Sequence, residues 1–220
     1  MDRLHYINLS TLFDYPSDGY VERARAVCDV LRSRYGEAVE HLTSFVDIIS
    51  QMQLLEIQEL YTRSFDVQAI TTLDVGYVLF GDDYKRGELL ANLNGEHRKC
   101  DNDCGCELAD HLPNLLRLVA KLHDEELVEE LVDEIMAPAL RKMTAEFEPQ
   151  QVSKREEVYL KQHKTLINSF EGERALAYVK ALRGLYSVLG EDFDLTSKKL
   201  PVQTSDFLKS IYSEMDLEEA

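Results

Sequence analysis

The spacing of the apolar side chains constrains this fold more than any other feature of the sequence. Apolar residues recur at intervals of three and four, which places them on one face of an α-helix. Alternation of apolar and polar residues is hard to find, and only 10 Gly and 5 Pro interrupt the chain. The spacing predicts helices over 4–13, 21–35, 39–49, 54–65, 112–122, 127–136, 155–170 and 176–189. The chain is therefore predicted to be all-α, a single-domain bundle of about eight to ten helices.

Residues at the ends of these segments indicate where the helices begin and end. Ser17 and Asp18 stand just before the second segment, and both residue types are common N-caps. Gly36 and Gly190 follow helical segments and predict helix ends. Pro138 predicts an end or a kink, because proline lacks a backbone N–H and collides with the preceding helical turn.

Three stretches break the helical pattern. Residues 94–110 combine glycine, asparagine, charged residues and cysteines, and residues 146–154 lie between two helical segments. Both are longer than most connections in a helical bundle, so we expect irregular loops there. Residues 213–220 carry four acidic residues in eight and predict an acidic, disordered tail. The helical domain is accordingly predicted to cover 1–212.

The net charge and the apolar runs exclude several classes of partner. The chain has 24 Lys and Arg against 41 Asp and Glu, a formal net charge of −17. This charge argues against binding nucleic acid or an anionic membrane surface, both of which favour clustered basic residues. The longest apolar run is the five residues 175–179, far below the roughly 20 that a membrane span needs. No apolar stretch follows a basic start in the first 30 residues, so we expect a cytoplasmic protein.

Enzyme motifs are absent from the sequence. It contains no GxGxxG, GxxxxGK[ST], GxSxG or HExxH pattern. None of the six His has a Glu three residues before it, so the Glu-x-x-His pair of di-iron bundles is missing as well. We therefore expect a protein that is not an enzyme.

One short segment concentrates metal-binding and redox-active side chains. His97, Cys100, Cys104 and Cys106 are four groups of the kind that hold a tetrahedral Zn²⁺, and Gly105 would let the backbone turn between the last two sulfurs. The spacing His-x2-Cys-x3-Cys-x-Cys is not that of a standard zinc finger. The alternative is a solvent-facing loop with reduced thiols. One hypothesis for the chain is accordingly a small helical zinc-binding or thiol redox-sensing protein.

Four segments resemble a known family of chaperones. The run ELYTRSFD at 59–66 is similar to the E-x-Y-x-x-x-F-D signature of redox-enzyme maturation chaperones of the NarJ, TorD and DmsD type. The runs LSTLFDYP at 9–16 and LFGDDYKRG at 79–87 resemble segments of the NarJ branch, which includes the nitrate reductase delta subunits. LADHLP at 108–113 resembles a further segment, with Ala109 in place of the usual proline. The four occur in the expected order over about half of the chain.

The resemblance implies a cytoplasmic, all-α chaperone with no cofactor of its own. Such proteins bind the catalytic subunit of a molybdenum oxidoreductase of the DMSO reductase family, through its N-terminal leader or its apo form. They hold it until the molybdenum cofactor is inserted and, for an exported enzyme, until the twin-arginine leader is ready. The sequence leaves open which molybdoenzyme is the client.

The segment 59–66 supplies the first candidate partner-binding residues. Tyr61 and Phe65 lie four apart, hence on one helical face, and Glu59 and Asp66 are expected near that face, where they would meet the arginines of a leader. A receptor for such a leader needs an apolar groove with an acidic surround. The competing interpretation is that Tyr61 and Phe65 are core residues.

Arg86, Asp110 and His111 are the remaining candidate partner-binding residues. Each also has a structural interpretation. Asp110 stands just before a helix, where it would act as a cap or first-turn acid, and His111 would bond to it. Arg86 is expected to anchor a helix or loop through a buried carboxylate.

Overall fold

The computed structural model of the chain describes residues 3–153 and 174–195. In chain order its elements are α1 (His5–Ser10), α2 (Tyr20–Leu31), α3 (Gly36–Ile49), α4 (Leu54–Phe65), α5 (Val75–Phe80), α6 (Tyr84–Lys99), α7 (Leu112–Lys121), α8 (Glu125–Glu130), a π-helical turn (Leu131–Met136), α9 (Ala137–Glu146), a 3-10 turn (Arg174–Leu176) and α10 (Ala177–Phe193). No strand occurs in the described ranges, where one isolated bridge joins Asp74 to His111. The predicted all-α, single-domain fold is confirmed.

The last described helix forms the centre of the bundle. α10 lies along α3 and also contacts α9, while α1 packs on α7 and α2 on α3. α10 approaches α3 closely at Gly184, where an added Cβ would lie 2.7 Å from Leu42 Cγ and 3.2 Å from the Ala38 carbonyl oxygen. A glycine is therefore required at this crossing, because any side chain would push the two helices apart.

The helix that carries the first candidate residues has the bounds that the sequence predicts. α4 covers Leu54–Phe65, and its start is fixed by a capping box. The Glu56 side chain accepts a hydrogen bond from the backbone N–H of Gln53 at 2.7 Å, and the Gln53 side chain accepts one in return. α7 likewise follows the predicted segment, with Pro113 in its first turn.

Several predicted boundaries are wrong. Neither Ser17 nor Asp18 caps α2; the cap position is Gly19, whose φ of 75° places it in the left-handed region. Gly36 does not end a helix but begins α3, since the chain leaves α2 at Leu31. Helix α10 continues past Gly190 to Phe193, and the first helix is shorter than predicted, covering His5–Ser10.

Pro138 is accommodated inside a longer helical run. The π-helical turn ends at Met136, and Pro138 occupies the first turn of α9. In a regular helix the proline ring collides with the backbone carbonyl group four residues before it. The wider π turn moves these carbonyl groups away from that position, so the collision does not occur. The helix is therefore interrupted near Pro138 without ending there.

The predicted loops are shorter than expected. Helix α6 was not predicted and runs to Lys99, so that the irregular stretch covers 100–111 rather than 94–110. Within 146–154 the chain is helical again from 149 to 153. The predicted helix over 155–170, the tail over 213–220 and the domain boundary at 212 lie outside the described residues. Within the described ranges no helix has both the length and the apolar character that crossing a membrane requires.

Candidate functional site

A cleft of about 560 Å³ lies where distant parts of the chain meet. It is bounded by 14–15 after α1, by the C-terminal end of α4, by 72–74 before α5, by the loop 104–107 and by the first turns of α7. Because these parts are far apart in sequence, the cleft exists only in the folded chain.

Tyr61 and Phe65 form the aromatic floor of the cleft. Their side chains are 8% and 7% exposed. The two rings contact each other edge-on, with centroids 5.2 Å apart, and contact Tyr178 of α10 at 5.8 Å and 4.9 Å. The Tyr61 hydroxyl donates to the Phe13 carbonyl oxygen at 3.0 Å, and burial raises the pKa of this hydroxyl. Both side chains are thus core residues whose remaining exposed edges line the cleft.

Acidic groups dominate the charged lining of the cleft. The lining contains four carboxylates, from Asp14, Asp66, Asp74 and Glu107, but one arginine, Arg117. Arg117 forms an ion pair with Asp14 that ties α7 to the segment after α1. Asp66 and Glu107 are exposed. This balance favours a positively charged ligand over a negative one.

A network of ionic hydrogen bonds lies beside the cleft. The guanidinium of Arg86 donates from Nε to Asp110 Oδ2 at 2.9 Å and from Nη2 to Asp74 Oδ2 at 3.0 Å. Asp110 is fully buried, and His111 Nδ1 donates to Asp74 Oδ1 at 3.2 Å. The hydrogen bond from His111, followed by the charges of His111 and Arg86, holds the pKa of Asp74 below its usual value despite partial burial.

The backbone fixes the position of this network. The Val75 N–H donates to the Asp110 carbonyl and the Leu112 N–H to the Leu73 carbonyl, both at 2.9 Å. Gly76 packs directly on the network, since an added Cβ would lie 2.7 Å from Asp110 Oδ2. The entry to α5 and the entry to α7 are therefore held together as one rigid unit.

The structure brings four of the seven candidate partner-binding residues into the cleft: Tyr61, Phe65, Asp66 and His111. Arg86 and Asp110 lie beside it and pair with each other, as the interpretation of Arg86 as an anchor to a buried carboxylate predicts. The interpretation of Asp110 as a helix cap bonded by His111 is wrong, because α7 has no side-chain cap and His111 bonds to Asp74. Glu59 is exposed and does not line the cleft. Glu59, which was expected near the face of Tyr61, points away from the cleft because residues two apart on a helix point in different directions.

His97 is used inside the protein. It is buried, its Nε2 donates to the Ala109 carbonyl oxygen at 3.0 Å, and its Nδ1 accepts from Asn102 Nδ2 at 2.9 Å. The carbonyl can only accept, which assigns the ring proton to Nε2. Burial lowers the pKa of His97 and favours the neutral ring. In this arrangement both ring nitrogens of His97 are engaged in hydrogen bonds within the protein.

The three cysteines of the segment face different surroundings. Cys100 ends α6 and packs against the core, whereas Cys104 and Cys106 line the cleft. Among the described residues, no group of three or more His, Cys, Asp or Glu side chains is arranged to hold a metal ion. The proposed set of His97 and three thiols is not assembled as one site.

Several residues of the cleft were not predicted from the sequence: Tyr15, Asp74, Glu107, Asn114 and Arg117. Asp14 and Tyr15 lie in the segment 9–16, so the resemblance was a signal that could have pointed to them. No such signal existed for the pairing of Arg117 with Asp14, whose positions are 103 apart, because that contact arises only from tertiary packing.

The chain matches no protein-family model, and no curated protein matches it.

Proposed function

We propose that this protein is a cytoplasmic assembly chaperone for the catalytic subunit of a molybdenum oxidoreductase of the DMSO reductase family. It binds the N-terminal leader or the apo form of that subunit and releases it after the molybdenum cofactor has been inserted. It makes no covalent change to its client.

The observation that supports this proposal is that three of the four family-like segments line one cleft, while the fourth is bonded to the network beside it. Segment 9–16 contributes Tyr15, segment 59–66 contributes Tyr61 and Phe65, and segment 108–113 contributes His111. The segment 79–87 supplies Arg86, which is bonded to the network beside the cleft. Their meeting at one cleft is what a shared binding role would require.

The chemistry of the cleft fits a leader peptide. Such a leader is basic at its start and apolar afterwards. The exposed carboxylates of Asp66 and Glu107 would meet the basic part, while the ring of Tyr15, 55% exposed, and the edge of Tyr61 would meet the apolar part. Tyr15 stands edge-on to Tyr61 with ring centroids 5.4 Å apart, so the two form one aromatic surface.

The titratable groups of the cleft suit binding better than catalysis. Burial raises the pKa of the Cys104 thiol, so this thiol lacks the permanently ionised form typical of a cysteine that attacks a substrate in catalysis. Asp74, the partner of His111, is shared with Arg86 and is therefore held in place as an ion-pair residue. These features support a binding role without a covalent step.

Co-expression with a client tests the proposal. The chain should co-purify with the cofactor-free form of a molybdenum catalytic subunit from the same genome, and loading the subunit with the molybdenum cofactor should abolish the complex. The control is the same experiment with the iron–sulfur subunit alone, which should not co-purify. Equal recovery with loaded and cofactor-free catalytic subunit, or recovery with neither, would rule out the proposed role.

A further inference from the structure

Two thiols stand one residue apart at the wall of the cleft. Cys106 is exposed and Cys104 is partly buried, and both line the cleft beside the acidic side chain of Glu107. Neither sulfur is held by a close partner. The Cys104 sulfur lies 4.0 Å from the Asn102 carbonyl oxygen and the Cys106 sulfur 3.9 Å from Glu107 Oε1, so that both contacts are weak.

The loop that carries the thiols is anchored on both sides. Asn114 Nδ2 donates to the carbonyl oxygens of Cys104, at 3.3 Å, and of Leu108, at 3.0 Å. Asn102 is held by His97 and by the Asn114 carbonyl oxygen at 3.1 Å. The chain ends of the loop are thus fixed by α6 and α7, and the two thiols occupy its tip.

The turn between the thiols places them within reach of each other. Gly105 has a φ of 62°, in the left-handed region, and its N–H donates to Asp103 Oδ1 at 2.9 Å. Two residues span about 7 Å when fully extended, and the turn at Gly105 shortens this distance. Disulfides join Cα atoms roughly 4.4–6.8 Å apart, so a bond between Cys104 and Cys106 requires the turn to hold their Cα atoms within this range and their side chains to rotate toward each other.

We infer that Cys104 and Cys106 form a reversible dithiol–disulfide site whose oxidant is a small-molecule disulfide of the glutathione type. The exposed Cys106 thiolate attacks one sulfur of the oxidant, forming a mixed disulfide and releasing the first thiol. The Cys104 thiolate then attacks the Cys106 sulfur, forms the internal disulfide and releases the second thiol. The two protein thiols lose two electrons and two protons, and the oxidant gains them as two thiols.

The order of attack follows from the surroundings of the two sulfurs. Cys106 is the accessible thiol, whereas desolvation raises the pKa of Cys104 and leaves less of it as thiolate at neutral pH. An exposed disulfide that closes so short a loop belongs to the labile class, which forms and breaks with the redox state of its surroundings.

The other two cysteines serve as internal controls. Cys28 is buried on α2, and Cys100 ends α6 against the core without lining the cleft. Cys28 lacks the access that the oxidant needs, and Cys100, which is partly buried like Cys104, lies outside the cleft, so we expect both to stay reduced under conditions that oxidise the pair.

The test uses the full chain incubated with oxidised and reduced glutathione at a series of ratios, blocked with an alkylating reagent and measured by intact mass and peptide mapping. The wild type and Cys100→Ser should lose two hydrogens through a Cys104–Cys106 bond that dithiothreitol reverses. Cys104→Ser should instead retain glutathione on Cys106, and Cys106→Ser should react more slowly than Cys104→Ser. Thiols that stay reduced throughout the series, or a disulfide that involves Cys100 or a second chain, would overturn the inference.

A second measurement tests the dithiol site and the proposed function separately. That the site lies in a peptide-binding cleft rests on the proposed function. A leader peptide that occupies the cleft shields both sulfurs, so saturating peptide should slow their oxidation, while a scrambled peptide should not. Oxidation at an unchanged rate in the presence of bound peptide would contradict the placement of the peptide in this cleft but leave the dithiol site standing. Absence of oxidation would remove the dithiol site and leave the chaperone proposal untouched.

Discussion

The Tyr61 hydroxyl donates a 3.0 Å hydrogen bond to the carbonyl oxygen of Phe13, and this bond joins two of the four segments that resemble the chaperone family. The ring of Tyr61 also contacts Phe65 and Tyr178, so that one side chain connects the segment after α1, helix α4 and helix α10. The floor of the cleft is for this reason continuous with the core.

Substitution of Tyr61 should therefore lower the stability, and the loss should be larger when the ring is removed than when only the hydroxyl is removed. Tyr61→Phe leaves a buried carbonyl oxygen without its donor and should lower the free energy of unfolding by about 0.5–1.5 kcal/mol. Tyr61→Ala also removes the ring and should lower it by about 3–5 kcal/mol. Urea denaturation measures both, with the exposed Tyr15→Ala as the control that should change little. Near-native stability of Tyr61→Ala would show that the ring is not part of the core.

Arg86 neutralises the fully buried Asp110, and its removal should destabilise the protein strongly. Arg86→Met leaves Asp110 buried without its cation and should lower the free energy of unfolding by about 3–5 kcal/mol. Arg98→Met, on the exposed side of the same helix, is the matched control and should change it by less than about 0.5 kcal/mol. Equal effects of the two substitutions in thermal or urea unfolding would contradict the assigned network.

Two glycines of α10 should respond to alanine in opposite directions. At Gly184 the new methyl group would collide with Leu42, so Gly184→Ala should destabilise by about 1–3 kcal/mol. At Gly190 an added Cβ meets nothing within 4 Å, so Gly190→Ala should stabilise the helix by about 0.5–1 kcal/mol. Midpoints of urea unfolding for the two variants decide this, and a stabilised Gly184→Ala would refute the close packing of α10 on α3.

Acid should unfold the protein partly through Asp192, a carboxylate with no exposed side-chain surface. Burial alone would raise the pKa of Asp192, but hydrogen bonds from His5, Tyr35 and Tyr6 outweigh it and lower the pKa below 3.8. Because the folded pKa lies below the unfolded one, the stabilisation is present above about pH 4 and is lost as the pH falls through the folded pKa. Unfolding free energies measured from pH 6 to pH 2 should fall less steeply in Asp192→Asn than in the wild type; parallel curves would exclude this role.

The sequence predicts some elements well because their apolar residues alone specify them. The segment 54–65 has a complete apolar stripe and a capping pair, and α4 has these bounds. Helix α6 was missed because it buries few residues, among them Leu89 and Leu93, and otherwise carries polar side chains. Its position depends on tertiary contacts of Arg86 and His97, which no local pattern reveals.

Helical spacing alone predicts the candidate site only where its residues lie on one element, whereas His111 was indicated by the family resemblance. Tyr61 and Phe65 share a helical face by spacing alone, and both line the cleft. The contact of Asp74 with His111 joins positions 37 apart, and no periodicity in the sequence places them together. The zinc hypothesis relied on residue types within one segment, and the structure instead commits His97 to Ala109 and Asn102.

Isothermal titration calorimetry with a peptide of about the first 30 residues of the client's catalytic subunit tests the central claim most directly. Binding to the wild type should show a negative heat-capacity change and a moderate salt dependence. Tyr15→Ala should weaken binding about fivefold or more with stability retained, and Asp66→Asn should weaken it and reduce its salt dependence. Glu59→Gln, which removes a carboxylate outside the cleft, should bind like the wild type. Loss of affinity in Glu59→Gln equal to that in Asp66→Asn, or no binding by the wild type, would contradict the account.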